Sequence, residues 1–258
     1  MLMEQTQHLE SAFVTLTYSD PALPTVKHEE TDQWIPTLVK SHCQSWIRSV
    51  RQKLMPHGLR IRYFLSGEYG TLSGRPHYHA ILFGIGPTWN DLFLRSWNKG
   101  YVSSYPACAA SMAYVAKYCL KGSGDPELLL PTSTPHIDPT EYRVTQAPFR
   151  LTSRKPAIGA TFAPNIATSL SRMTGRVVNY DPEEVPSAKQ VRIEGKKYPL
   201  DKTMKIHISR ELDDRGVDTA IVDAMLNRDF GDPSNEEIEK GRQAHLKALR
   251  SRHSRNKL

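Results

Sequence analysis

Cysteine is scarce in this chain of 258 residues: Cys43, Cys108 and Cys119 are odd in number, and none belongs to a C-x-x-C pair. That argues against a disulfide framework or a structural zinc knuckle, and makes a reducing cytosol the expected setting. Long apolar runs are missing as well. No stretch approaches the roughly 20 residues needed to span a bilayer, and no N-terminal segment joins a basic region to an apolar one. A soluble, unsecreted protein with no membrane partner is therefore expected. The pattern G-x-x-x-x-G-K-[ST] does not occur, so the chain carries no recognisable nucleotide-driven motor. Two histidines and a glutamate would also describe catalytic zinc, but neither H-E-x-x-H nor H-x-H-x-D-H is present, which counts against a zinc hydrolase. No internal repeat is visible.

Excess charge is absent from most of the chain. Residues 1–149 hold 13 Lys+Arg against 12 Asp+Glu, residues 150–239 hold 14 against 15, and residues 240–258 hold 7 against none. The formal net charge of +7 is thus a basic tail, which locates a secondary nucleic-acid contact without naming a function. A DNA-binding or packaging protein that relies on this tail is the non-enzymatic reading.

What is present begins with A-F-V-T-L-T-Y at Ala12 to Tyr18, a β-branched and aromatic strand closed by the turn signal S-D-P. Between Thr37 and Met55 the apolar positions Leu38, Val39, Trp46, Ile47, Val50 and Leu54 predict a helix, stopped by Pro56 and Gly58. Arg60 to Leu65 and His77 to Ile85 read as strands joined by a hairpin connection, and the second, apolar on both faces beyond His79, should be central. Gly100 to Tyr105 is a fourth strand. Ala109 to Leu120 is a helix with Gly122 at its C-cap position, its small back face of Ala113, Ala116, Cys119 and Leu120 suited to lying close on a sheet.

Pro126, Pro131, Pro135 and Pro139 then mark a loop or linker. Residues 1–125 are read as the core, 126–150 as the linker and 151–258 as a C-terminal extension. Within the extension, Val191 to Ile193 and Lys197 to Tyr198 form a late hairpin that either completes the main sheet or stands apart. Asn235 to Arg252 is a terminal helix, with Glu236 and Glu237 in its first turn as the macrodipole prefers.

Two groups of residues carry chemistry. On a strand, His77 and His79 share a face while Tyr78 turns to the other. A hairpin brings Glu68, at the end of the preceding strand, beside them, which makes a His-His-carboxylate set suited to a divalent cation with open positions for substrate. On a helix, Tyr114, Lys117, Tyr118 and Lys121 form one stripe. A phenol of pKa about 10 is a poor nucleophile at neutral pH unless cations assist it. Lys117 and Lys121 are placed to do so.

The blocks F-V-T-L-T-Y-S-D, G-E-Y-G-x-x-x-G-R-P-H-Y-H-A-x-L-F-G and Y-V-A-K-Y-x-x-K, spread over residues 13 to 122, resemble the three motifs of HUH-superfamily rolling-circle replication initiators. The nearest likeness is to initiators of small icosahedral single-stranded DNA phages, the gokushoviruses among the microviruses, where S-R-K-P-A-I-G at Ser153 to Gly159 also has a counterpart. The resemblance implies the α+β HUH endonuclease fold, a five-stranded antiparallel sheet flanked by helices. It further implies Glu68, His77 and His79 as ligands of Mg²⁺ or Mn²⁺, Tyr114 and Tyr118 as alternating nucleophiles, and Lys117 and Lys121 as assisting cations. The implied activity is origin-specific nicking and rejoining of single-stranded DNA through a 5′-phosphotyrosine, leaving a 3′-OH primer, in the cytoplasm of a bacterial host whose helicase and DNA polymerase take part. A transposase or plasmid relaxase of the same superfamily is the alternative. Larger relatives carry more chain around this core.

Overall fold

Alternation in the first strand decides where everything else sits, because every second side chain of Ser11–Tyr18 is fully buried: Ala12, Val14, Leu16 and Tyr18. The computed structural model describes residues 1–27, 32–70, 74–120, 145–174, 190–193, 195–218, 221–222 and 225–226, apart from the side chains of residues 118–120 and 173–174. In chain order, the compact unit Met1–Ala163 contains α1 (Leu2–Gln5), β1 (Ser11–Tyr18), β2 (Thr25–Lys27), β3 (Trp34–Pro36), α2 (Lys40–Leu54), β4 (Arg62–Tyr69), β5 (Pro76–Phe83), α3 (Asn90–Trp97), β6 (Gly100–Pro106), α4 (Ala109–Leu120) and β7 (Phe149–Thr152). Helix α5 (Ala163–Thr174) starts at the boundary, and the unit Pro164–Leu258 adds β8 (Gln190–Ile193), β9 (Lys196–Pro199) and α6 (Lys202–Asp213).

The main sheet has five antiparallel strands in the order β6-β1-β5-β4-β7, so the histidine strand is central, as its apolar run predicts. The fold is the expected α+β arrangement. One face packs Ala12, Val14, Leu16, Leu65, Tyr78, Ala80 and Leu82 against Cys43, Trp46, Ile47, Val50 and Leu54 of α2 and Phe93 and Trp97 of α3. The other packs Ile81 and Phe83 against Met112 and Val115 of α4, with Phe13 and Phe64 alongside. Parity along each strand sorts the two cores.

Several expectations are corrected. Helix α2 begins at Lys40, three residues after the predicted start, because the backbone N–H groups of Leu38 and Val39 donate to the Tyr69 and Tyr78 hydroxyls and Val39 is extended. Strand β4 runs past Leu65 to Tyr69, which puts Glu68 inside the ladder, paired with His77. The small-residue face of α4 does not rest on the sheet. Ala113 is exposed, and Met112 and Val115 take that place because larger apolar side chains gain more from burial. The late hairpin stands apart as the ribbon β8-β9.

Strand β7 completes the sheet instead, from residues assigned to the end of the linker and the start of the extension. Glycine at position 67 permits this, since a Cβ there would stand 3.0 Å from the Phe149 ring and 3.2 Å from Leu38. The remainder of the proline-rich stretch through residue 144, the Gly122 cap, the terminal helix and the basic tail lie outside the described residues. Among those described, no helix is long and apolar enough to cross a membrane.

In the unit from Pro164 onward, Asp201 caps α6 by accepting from the Met204 N–H at 2.7 Å, and Met204, Ile208 and Leu212 form its buried stripe. Arg215 donates to Thr168 Oγ1 at 2.8 Å, tying the end of α6 to α5.

In the first unit a buried carboxylate fastens the chain's start to the sheet. Glu4 pairs with Arg62 of β4 and His8, and it accepts from the Gly159 N–H at 2.6 Å. Arg62 in turn donates to the carbonyls of Pro156 and Ala157. The S-R-K-P-A-I-G segment is thereby laid against the edge of the core. Burial alone would push the Glu4 pKa up, but the Gly159 N–H, His8 and Arg62 outweigh it and hold the carboxyl below its ordinary range.

Glu4→Gln should therefore cost about 2 kcal/mol of unfolding free energy at pH 7 by leaving Arg62 without its counter-charge. Urea titration of tryptophan fluorescence measures it, since Trp34, Trp46, Trp89 and Trp97 all lie in this unit. A depressed folded pKa stabilises above the unfolded value near 4.3, and that contribution is lost as pH falls through the folded value. The gap between variant and parent should close below about pH 4. A gap unchanged down to pH 3 would contradict the assignment.

Candidate active site

Register across three strands assembles the site. Thr17 of β1 and Glu68 of β4 both stand opposite His77, while Thr15 and Ser66 stand opposite His79. Directly paired residues share a face, so Thr17, His77 and Glu68 form one row and Thr15, His79 and Ser66 the next. The face is the one covered by α4. Tyr78, between the histidines, points the other way, where its hydroxyl bonds to Tyr18 at 2.9 Å and accepts from the Val39 N–H at 2.8 Å.

Each imidazole is held at Nδ1. Thr17 Oγ1 lies 3.1 Å from His77 Nδ1, and Thr15 Oγ1 lies 3.1 Å from His79 Nδ1. Both Nε2 atoms are thereby turned toward the site. His79 Nε2 is 2.8 Å from Glu68 Oε1. Burial pushes the His77 pKa below the ordinary histidine value, with His79 and Arg75 acting in the same direction against the pull of Glu68. His77 is therefore neutral at neutral pH, the form that offers a lone pair.

Tyr114 completes the cluster from above. Its hydroxyl donates to Glu68 Oε1 at 3.4 Å, and its ring meets His79 edge-on with centroids 5.0 Å apart. Phe13 stacks on His79 at 5.8 Å and touches Tyr114 from the side at 6.2 Å. Glu68, His79 and Tyr114 thus converge on one carboxylate oxygen. Lys117 is exposed, one turn farther along α4. Tyr118 also lies in α4, but its side chain is outside the described residues, and Lys121 is outside them altogether.

The residues fit a divalent cation on three observations. Glu68 Oε2 is buried with no hydrogen-bond partner, a costly state for an acceptor. Gly70 leaves open the space beside His77, where a Cβ would lie 3.2 Å from Nε2. The threonines serve Nδ1, the outer contact that orients histidines ligating through Nε2. As they stand, the side chains do not form a ligand cluster: no group of three or more His, Cys, Asp or Glu among the described residues is arranged to hold a metal. His79 and Glu68 bond to each other instead, and Glu68 would have to exchange that hydrogen bond for a ligand bond.

Residues that the motifs do not mark surround this centre. Thr15 and Thr17 are visible as alternating positions in F-V-T-L-T-Y, but their partners depend on the register. Tyr101 and Tyr105 of edge strand β6 pair with Thr17 and Phe13, so they share the histidine face, 69% and 61% exposed. Arg150 of β7 pairs with Ser66 and is exposed on the same face at the opposite edge. Arg75 donates to the Tyr18 carbonyl and pairs with Asp20, closing the start of β5 against the end of β1.

Comparison with known proteins points to the same stretch. Residues 11–123 match the family model for replication-associated proteins of the ORF2 type. The Replication-associated protein ORF2 of Spiroplasma virus 4 is 31% identical over 128 residues, 43% of this chain and 38% of the relative. The Replication-associated protein VP4 of Bdellovibrio phage phiMH2K is 27% identical over 135 residues, 43% of this chain and 39% of the relative. The Replication-associated protein ORF4 of Chlamydia phage 1 is 28% identical over 139 residues, 46% of this chain and 32% of the relative. Each match spans well under half of the relative's length. Over residues 11–123, which carry the whole candidate site, the chain belongs with the replication-associated proteins of the ORF2 family.

Proposed function

We propose that this protein initiates rolling-circle replication by cutting one DNA strand at an origin and holding the cut end on a tyrosine. The observation that carries the reading is the Tyr114 hydroxyl beside a carboxylate that also bonds the paired histidines, at 3.4 Å and 2.8 Å from one oxygen. Core packing does not account for that placement, since Tyr114 is 41% exposed and its helix is anchored by Met112 and Val115.

In the proposed step, the tyrosine oxygen attacks the scissile phosphorus in line. A phosphorus–oxygen bond to tyrosine forms as the bond to the 3′ oxygen breaks, and the proton lost by the phenol is matched by the one the 3′-OH gains. The phosphodiester energy is kept in the 5′-phosphotyrosine, so a later 3′-OH can reverse the reaction and close a circle. Tyr118, one helical turn from Tyr114, is the natural second nucleophile, and Lys117 and Lys121 are the cations that favour ionised phenols. Host polymerase and helicase would extend and unwind. His77, His79 and Glu68 would hold Mg²⁺ or Mn²⁺, which when bound draws charge from a phosphate oxygen.

The strand itself would cross the histidine face. Tyr101 and Tyr105 offer rings for base stacking at one edge, with Arg150 at the other to meet a phosphate. This suits a single strand, whose bases are unstacked and exposed.

Two measurements test the reading. Incubated with Mn²⁺ and a labelled single-stranded origin oligonucleotide, the protein should give a covalent adduct that survives denaturing electrophoresis. Tyr114→Phe with Tyr118→Phe should give none, and an adduct formed by that double variant would remove both tyrosines from the chemistry. Separately, calorimetric titration should detect Mn²⁺ binding to the protein alone. Thr17→Val should weaken it about 10- to 100-fold by removing the partner of His77 Nδ1, and Glu68→Ala should weaken it further. Equal Mn²⁺ affinity in all three proteins would exclude this ligand set.

A further inference from the structure

The face of the sheet opposite the histidines carries a second concentration of chemistry. From Gln33 to Gly67 the chain holds six Lys and Arg (Lys40, Arg48, Arg51, Lys53, Arg60 and Arg62) and no Asp or Glu. Averaging over the first 149 residues conceals this run. Two of its members are already occupied: Arg62 by Glu4, and Lys53 by Ser49 and the end of α3. Arg48, Arg51 and Arg60 converge elsewhere.

They line a groove of about 730 Å³ between α2 and the chain entering β4. On α2, Gln44, Arg48, Arg51 and Gln52 fall at helical spacing beside the stripe that α2 buries, so they form one ledge. Arg60 faces that ledge from the other side. All three arginines are exposed, none forms an ion pair among the described residues, and no acidic residue lines the groove. Arg51 is partly ordered, its guanidinium 5.2 Å over the Tyr63 ring and donating to the Ile61 carbonyl.

Three guanidinium groups without counter-charges in one groove repel each other unless an anion lies among them, and the guanidinium fork suits phosphate oxygens. The ledge from Gln44 to Met55 rises about 16 Å, roughly the rise of five nucleotides of one strand of a duplex. Single strands are held by stacking on open rings, and here the aromatic ring, Tyr63, is covered by Arg51. We propose that this groove binds the backbone of duplex DNA, gripping the flank of an origin while the opposite face handles the single strand. This rests on the nicking reading above for its biological setting, although the groove's affinity is measurable without it.

The test is fluorescence anisotropy with a labelled duplex, and with a single strand of equal length, from about 50 to 200 mM NaCl. Changing Arg48, Arg51 and Arg60 together to Gln should weaken duplex binding more than tenfold at the low-salt end. It should also reduce the slope of log affinity against log salt by roughly 2 to 3, about 0.9 for each lost phosphate contact. Single-strand affinity and adduct formation on a single strand should stay within about twofold, which keeps failure here distinct from failure of the nicking chemistry. The triple change to Lys, which preserves charge, should retain most of the slope. An unchanged duplex slope in the Gln variant would overturn the proposal. So would an equal loss on both DNA forms, or the same loss when Lys196, Lys197 and Lys202 are changed to Gln instead.

Discussion

The antiparallel register of β1, β5 and β4 is the constraint on which the rest depends. Because strand side chains alternate, a slip of one residue would carry His77 and His79 into the core beneath α2 and turn Tyr78 toward α4. That slip is blocked from the core side. Ala12, Val14, Leu16 and Tyr18 on β1 and Tyr78, Ala80 and Leu82 on β5 must all face α2 and α3, and the paired Tyr18 and Tyr78 hydroxyls are bonded to each other. Hydrophobic burial on one face thus sets the geometry of polar groups on the other.

The polar face is less completely satisfied than the apolar one, and the excess lies at the site. Glu68 Oε2 and Ser66 Oγ are both buried without a hydrogen-bond partner, two residues apart on the same face of β4. Each such atom costs stability, on the order of 1–3 kcal/mol. Retaining two beside the histidine pair is hard to explain by folding alone. It is understandable if the site is completed by something that supplies positive charge, which is the physical argument for a cation that the donor set by itself leaves open.

Much of this is legible in the sequence. The His-x-His spacing on an apolar run is enough to put the histidine strand at the centre, and the helical spacing of Tyr114 and Lys117 puts them on α4. What is not legible depends on pairs distant in sequence. The threonines that orient the imidazoles lie about sixty residues before them, and nothing local to T-L-T names a partner. Strand β7 escapes notice because four residues after a proline-rich stretch carry too little periodicity, and their pairing with β4 spans most of the unit. The back face of α4 misleads for a different reason: small residues permit close packing but do not drive it, and Met112 and Val115 bury more surface. Charge misleads in the same way as long as it is averaged. A nearly neutral total over residues 1–149 is compatible with an acid-free run from Gln33 to Gly67.

That uneven distribution bears on how such a protein could be both selective and fast to release. A site face with few cations, among them Lys117 and Arg150, holds a single strand through stacking and a few placed charges, so its grip is short-range and depends on bases being unpaired. A groove of arginines on the far face acts through screened Coulomb attraction, which brings duplex to the protein and weakens steeply with salt. Combining both functions on one face would reward the enzyme for binding any polyanion across its nucleophile. Separating them by the thickness of a sheet lets the long-range term recruit DNA while the short-range term decides whether a strand is cut. The same β-strand alternation that sorts apolar from polar side chains also sorts these two kinds of DNA contact, since α2 and its ledge follow one parity of the sheet and the histidines the other.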